Sequence, residues 1–290
     1  MQVHLFQVPY DSGLRGVRMG LGPDYFVQHG AVSALSSHGW EVEVETIESQ
    51  RPFPSEITTS LVLCWQLAQR VCSVKDQGAF PLILAGNCNT SLGGIAGVGS
   101  DDLGVIWFDA HSDFRTPETG VGGMLDSMGL AMLTGQCWRR ATSYIPGFAP
   151  MPINRVLLVG ARQLEPDDEE QLELAQVPLV RGEQIRAEGL IGSLMQALQA
   201  LRARVQRVYV HLDLDVLDLE VGKANEFAEP GGLFVQELEQ ALELISQHFV
   251  IAGAAFTAYD PTSDPEEGIF RAGTHLMEYL LQHVEQRQRN

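Results

Sequence analysis

Continuous apolar runs alternate with amphipathic stretches along this chain. Residues 80–85 (Phe-Pro-Leu-Ile-Leu-Ala) show no polar alternation, and 103–108, 156–160 and 208–212 are similar. Such runs mark central strands buried on both faces. Residues 3–8 read as a first strand and 250–257 as a last one. Residues 41–48 (Glu-Val-Glu-Val-Glu-Thr-Ile-Glu) largely alternate. That pattern gives a strand one polar face and places it at a sheet edge. Helices are predicted around 24–38, 55–76, 90–97, 126–134, 166–175, 183–204, 234–248 and 266–286. Gly20-Leu21-Gly22-Pro23 breaks the chain before the first, and Pro54-Ser55-Glu56 opens the second. About eight strands with helices between them predict an α/β fold, a mainly parallel sheet covered on both faces. No linker, low-complexity tract or internal repeat intervenes, which predicts one domain over residues 1–290.

Composition narrows the function. The 290 residues are 45% hydrophobic, ample for a buried core. The net charge of −18 lacks the basic footprint of a nucleic-acid or anionic-membrane surface. Its simplest meaning is solubility. Cys64, Cys72, Cys88 and Cys137 form no C-x-x-C pair, and Met1 runs directly into a predicted strand, so no removable leader is expected. Reduced thiols in a cytoplasmic protein are expected. No apolar stretch approaches the ~20 residues of a membrane span.

Two acidic motifs carry the chemistry. Asp109-Ala110-His111-Ser112-Asp113 follows the run 103–108, and Asp213-Leu214-Asp215 follows 208–212. The carboxyl ends of parallel strands converge on one crevice, where ligands bind. In extended geometry, residues two apart share a face. Four carboxylates and an imidazole gathered there repel one another without a cation. Oxygen donors with one imidazole suit manganese, and also accept iron, cobalt, nickel or zinc. Two such ions ~3.5–4 Å apart activate a bridging water and polarise an electrophile. A lone D-x-D would instead read as a helix cap; the two motifs together favour metal. His211 either hydrogen-bonds a ligand carboxylate or, more commonly for such a residue, is a satisfied core histidine. His275 reads as packing or surface. No G-x-S-x-G elbow and no phosphate-binding loop occurs.

The chain resembles the ureohydrolase (arginase–agmatinase–formiminoglutamase) family over most of its length. The matching segments are Val8-Pro9-Tyr10-Asp11 with Gly22-Pro23, Gly86-Asn87-Cys88-Asn89, and Trp107 through Asp113. Thr116-Pro117-Glu118-Thr119, Leu212 through Asp218, Pro230-Gly231-Gly232-Leu233 and Asp260-Pro261 continue the match. The resemblance implies a single three-layer α/β/α domain with an eight-stranded parallel sheet. It implies two manganese ions and hydrolysis of a guanidine or amidine C–N bond, with a hydroxide bridging the ions as nucleophile. By the same resemblance Asp109 and Asp213 bridge the ions, Asp113 binds one, and His111 and Asp215 the other. Asp218 is read as structural. A small-molecule substrate and a homo-oligomer, trimer or hexamer, are further expectations.

Three departures stand out. The family's metal-binding histidine is Cys88 here, either a thiolate ligand that favours zinc or iron or a small buried thiol. The proton-shuttle histidine is Asp126, a general acid if its pKa is raised or the amino-terminal cap of the following helix, with the cap preferred. The guanidinium-binding glutamate is Ala258, and the aspartate three residues earlier is Ala255. A buried guanidinium without a carboxylate partner suffers several kcal/mol of uncompensated desolvation. Arg115 and Gly122 fall where the family meets the amino-acid end of arginine. Arg115 either pairs with a substrate anion or forms a salt bridge. The pattern resembles a subgroup that hydrolyses N-hydroxyarginine, whose less basic hydroxyguanidine needs less countercharge. Asp113 and Asp126 are the catalytic candidates. The competing reading is a non-catalytic relative, a metal-bound scaffold or regulatory subunit.

Overall fold

Strand formation follows the apolar runs. In a computed structural model, residues 1–49, 53–120 and 123–289 are described. The strands are β1 (Gln2–Val8), β2 (Tyr10–Asp11), β3 (Leu14–Arg15), β4 (Glu41–Thr46), β5 (Phe80–Ala85), β6 (Leu103–Phe108), β7 (Val156–Val159), β8 (Leu179–Val180), β9 (Arg207–Asp213) and β10 (Val250–Thr257). Eight of them form one sheet in the order β4-β1-β5-β10-β9-β6-β7-β8, and β2 and β3 form a small antiparallel hairpin. Every pairing in the large sheet is parallel. Helices cover both faces, so the fold is the expected three-layer α/β/α arrangement.

The sheet separates two cores, and the strand period of two assigns residues to them. Leu5, Leu82, Leu84, Ile106, Phe108 and Val210 pack on one side with the carboxyl-terminal helices. Phe6, Ile83, Val105, Trp107 and Tyr209 pack on the other with helices Glu56–Asp76 and Ser91–Val98. All residues of β5 and β6 are buried. The alternating segment 41–46 is an outermost strand with no buried residue, as its polar face predicts.

Sequence and structure differ where short-range geometry intervenes. The single helix predicted at 24–38 is two, Gly22–Gln28 and Ala31–Ser37, broken where Gly30 adopts φ 106°. The helix predicted at 183–204 is likewise Gly182–Glu188 and Leu190–Arg202, broken at Gly189 with φ 78°. The region 126–134 is a 3-10 turn, Asp126–Met128, followed by a short helix, Gly129–Leu133. The eighth strand, Leu179–Val180, spans two residues and is too short to show a period. No helix among the described residues is long and apolar enough to cross a membrane.

β5, β10, β9 and β6 are neighbours at the centre of the sheet, and their carboxyl ends open on one crevice. The turn leaving β5 is fixed by a backbone approach at Gly86. A Cβ there would lie 2.3 Å from the Tyr10 carbonyl oxygen and 2.8 Å from the Gly20 Cα. Both obstacles are main chain and cannot rotate away. Gly86→Ala is therefore expected to destabilise the fold on the order of 1–3 kcal/mol in urea unfolding. An unchanged midpoint would show that this approach is not tight.

Candidate metal centre

The first acidic motif begins just past the end of its strand, and the second on the last residue of its strand. β6 ends at Phe108, so Asp109, His111 and Asp113 lie on a bend rather than on a continuing strand. Convergence survives because side chains tie the bend together. Asp109 is 1% exposed; its Oδ1 accepts from the His111 amide at 2.7 Å and its Oδ2 from the Trp107 indole at 3.0 Å. Asp213 Oδ1 accepts from the Asp215 amide at 2.8 Å. Asp215 Oδ1 accepts from the Ala110 amide at 3.3 Å, which joins the second motif to the first. His111 Nδ1 lies 3.4 Å from Asp109 Oδ1 and 3.3 Å from Asp215 Oδ2.

Asp113 adopts φ 46°, a left-handed conformation uncommon for aspartate. Its carbonyl accepts from the amides of Leu130 and Ala131 at 2.9 and 3.1 Å, holding the strained position at the start of the Gly129–Leu133 helix. Asp113 Oδ2 is buried and has no hydrogen-bond partner among the described residues. A buried carboxylate oxygen of that kind is costly unless something else meets it.

Cys88 opens a 3-10 turn after β5. Its thiol donates to Asp213 Oδ2 at 2.8 Å and sits 3.2 Å from Thr257 Oγ1. Asp126 does not cap its own turn, which has no side-chain cap bond. It reaches across to the turn of Cys88 instead. Oδ1 accepts from the Cys88 amide at 2.6 Å and Oδ2 from Asn87 Nδ2 at 2.7 Å. Asn87 Nδ2 also lies 3.2 Å from Asp11 Oδ1, and Arg18 grips Asp11 through Nε and Nη2 at 2.8 and 3.1 Å.

His211 is completely buried on β9. Its ring stacks on Trp107 with centroids 3.6 Å apart, and Nδ1 is 2.7 Å from Ser91 Oγ. Two sets of donors crowd together: Cys88, Asp109 and His211, and Asp109, His111 and Asp215, each with its atoms within 4.8 Å of one another. Asp109 belongs to both.

Burial dominates the electrostatics. It raises Asp109, Asp113 and Asp213 above the ordinary carboxylate range, and neighbouring carboxylates push in the same direction. Burial, aided by Asp11, lifts Asp126 to about 7. Burial also works on Asp215, yet the His111 imidazole and hydrogen bonds outweigh it and hold Asp215 at about 2. His111 is opposed by its own burial but is raised well above its ordinary value by Asp215 and Asp109. Burial and then Asp213 raise the Cys88 thiol. Burial lowers His211 to about 3, so it is neutral. Arg162 lies close by but spends itself on backbone carbonyls, including Asp215 O at 2.8 Å and Glu229 O at 2.7 Å. The donors therefore fit divalent ions: crowded carboxylates, a neutral imidazole and an orphaned oxygen with too little protein cation to match them.

The cluster forms the floor of a cavity of about 390 Å³. Cys88, His111, Asp113, Asp126, Asp213 and Asp215 all contribute to it. Its outer wall includes Arg115, Glu165, Glu229 and Phe227. Arg115 makes a two-pronged pair with buried Asp168, Nε at 2.8 Å and Nη2 at 2.6 Å. Its charge is already matched, so a substrate anion would have to share it. Gly122 lies outside the described residues. Ala258 lines the cavity with φ 62° and Ala255 is buried in β10; neither position offers a carboxylate. Asp218 accepts from the amides of Glu220 and Gly231, both at 2.9 Å, and so holds its loop as expected. His275 sits at the surface against Glu239.

Sequence reasoning missed Asn225, whose Nδ2 donates to Asp215 Oδ2 at 3.3 Å and to the Ala258 carbonyl at 2.8 Å. It also missed Thr257 and Asp168. Asn225 has no periodic context, and Asp168 hides in the acidic run Asp167-Asp168-Glu169-Glu170, which looks like a solvated helix start.

Comparisons with known proteins agree with this geometry. The model of the arginase family matches residues 1–282. Arginase from Bacillus subtilis (strain 168) is 27% identical over 96% of this chain and 97% of its own length. Arginase from Bacillus caldovelox is 30% identical over 74% of this chain and 73% of its own. The crystal structure of the Bacillus subtilis arginase superposes with TM-score 0.88, at 27% identity, over 97% and 98% of the two chains. Formimidoylglutamase from Bacillus subtilis shares the fold with TM-score 0.78 at 20% identity, over 98% of this chain and 87% of its own.

The raised carboxylates carry a linkage consequence. A group whose pKa is raised on folding stabilises the fold at low pH, and that contribution fades as pH rises through the folded value. Metal-free protein should therefore lose thermal stability as pH rises from about 5 through Asp126's value near 7. Asp113→Asn removes one such group at a position whose oxygen has no partner. In the metal-free state at pH 8 it should be more stable than wild type, on the order of 1–3 kcal/mol, with the gain vanishing near pH 4. A variant no more stable than wild type would mean that Asp113 is not under electrostatic strain.

Proposed function

The chain belongs to the arginase family, and on that premise we propose that it is a metal-dependent hydrolase cleaving a C–N bond of a guanidine-, hydroxyguanidine- or amidine-like small molecule. The observation that carries this reading is Asp113 Oδ2, buried without a protein partner in the wall of a cavity that also holds Asp109's neighbours His111, Asp213 and Asp215.

In this reading Asp109, His111, Asp113, Asp213 and Asp215 hold two divalent ions, with Cys88 as a further ligand. Manganese is the family expectation, and the Cys88 sulfur shifts preference toward zinc or iron. Bound there, the ions supply positive charge that offsets the carboxylates and acidifies water. The remaining work falls to the protein. Trp107 and the His111 amide fix the two oxygens of Asp109, and Asn225 fixes Asp215. Such outer partners set ligand orientation. Asp126, in the cavity wall beside Asp113, is our assignment for the group that carries a proton to the leaving nitrogen.

The substrate follows from what the wall lacks. Ala258 and Ala255, the two positions considered, offer no carboxylate to a guanidinium. Glu165 and Glu229 lie in the same cavity wall and are the acids available to a cation. A less basic head group, such as a hydroxyguanidine, escapes most of the desolvation penalty. Arg115 lines the same wall but is paired with Asp168, so a substrate anion would share it with that carboxylate.

The test is a panel of arginine, agmatine, hydroxyarginine, guanidinobutyrate and formimino compounds, with manganese, zinc or iron added. We expect release of urea, hydroxyurea or ammonia, with kcat/KM for hydroxyarginine exceeding that for arginine by about 10-fold or more, a difference of ~1.4 kcal/mol. Asp113→Ala should abolish the activity. A preference for arginine would overturn the substrate reading. Silence across the panel, with ions bound, would favour the alternative of a metal-binding scaffold or regulatory subunit that has lost catalysis.

A further inference from the structure

We propose that His211 is a metal ligand, supplying from the middle of the sheet the imidazole that the turn after β5 lacks because it carries Cys88. The inference rests on the metal-dependent reading above and extends it to a residue outside the two acidic motifs.

His211 sits on β9 between two partner strands, opposite Trp107 of β6 and Ala255 of β10. The small Ala255 and the flat face of Trp107, inclined to the imidazole by only 20°, leave the ring one plane in which to lie. Within that plane Nδ1 meets Ser91 Oγ at 2.7 Å. Among the described residues the opposite nitrogen, Nε2, meets Thr257 Oγ1 at 3.5 Å, at the limit of a hydrogen bond. A packed core histidine would satisfy both nitrogens. This one satisfies a single nitrogen well, and the ring belongs to the group formed with Cys88 Sγ and Asp109.

The three donors lie within 4.8 Å of one another, all buried. Metal–nitrogen and metal–sulfur bonds of ~2.0–2.3 Å span such a separation with small side-chain adjustment. Asp113, whose Oδ2 is buried and unpartnered, lines the cavity with Cys88 and Asp213. The Ser91 contact matches the outer hydrogen bond that fixes tautomer and ring orientation in metal-bound histidines: with Nδ1–H donating to Ser91, the Nε2 lone pair would be left to bind a metal. The two halves of the centre then differ in character. Sulfur, imidazole and carboxylate make one half soft enough for zinc, iron or cobalt, while Asp109, His111 and Asp215 keep the other harder.

The test is X-ray absorption on zinc-loaded full-length protein. In His111→Ala the other candidate imidazole is gone, so imidazole scattering alongside a sulfur neighbour must come from His211. We expect both signals in His111→Ala. In the double variant with His211→Phe, which keeps a ring against Trp107, the imidazole signal should disappear while sulfur stays. His211→Phe alone should weaken zinc at the sulfur-bearing position by at least the ~10–100-fold that loss of an outer partner causes. A sulfur neighbour without imidazole in His111→Ala would overturn the proposal and leave the metal-dependent reading intact. Failure to retain zinc in any form, wild type included, would overturn both. If the double variant does not fold, the wild-type spectrum decides: two imidazoles support His211, and one excludes it.

Discussion

Crowding of like charge at the carboxyl ends of β6 and β9 is the constraint from which the rest of the structure follows. Asp109, Asp113, Asp213 and Asp215 are all buried, and burial penalises each charge before their mutual repulsion is added. The protein gives only partial relief. His111 steadies Asp215, backbone amides steady one oxygen of Asp109 and one of Asp213, and Asp113 keeps an oxygen with no partner. A cluster held in that condition carries like charge that a bound cation would offset.

Two of the departures from the family pattern, Cys88 and Asp126, are in direct contact. Asp126 takes hold of the turn that carries Cys88, through the Cys88 amide and the Asn87 side chain. Asn87 in turn leans on Asp11, and Arg18 closes the chain of contacts at the entrance. An aspartate at 126 needs a donor, and the amide of Asn87 is one; an aspartate at both positions would face like charge at hydrogen-bond distance. The thiol at 88, smaller than an imidazole, shares a buried donor group with the ring of His211 on β9.

Much of the fold was legible because it rests on hydrophobic period. The strands at 80–85, 103–108 and 250–257 were placed to the residue, and 41–48 was placed at an edge because its alternation leaves one face polar. Elements governed by a single dihedral were not legible: Gly30 and Gly189 each break a helix that periodicity alone would continue. In the site, the acidic motifs announced themselves by following apolar runs, although the bend after Phe108 replaced the extended geometry that suggested their convergence. Asn225 and Thr257 were invisible because their roles depend on contacts across the sheet, with Asp215 and Cys88, that no local pattern encodes. Asp126 was expected to cap its own helix; tertiary packing turned it toward another turn.

The central claim is that a cation takes the place of protons in this cluster. Calorimetric titration of metal-free protein with manganese or zinc at pH 7, repeated in buffers of different ionisation enthalpy, measures ion stoichiometry and proton release together. The account predicts about two ions per chain, as a binuclear centre requires, with net release of protons as the raised carboxylates ionise. Uptake of no ion, or binding that releases no protons, would contradict it.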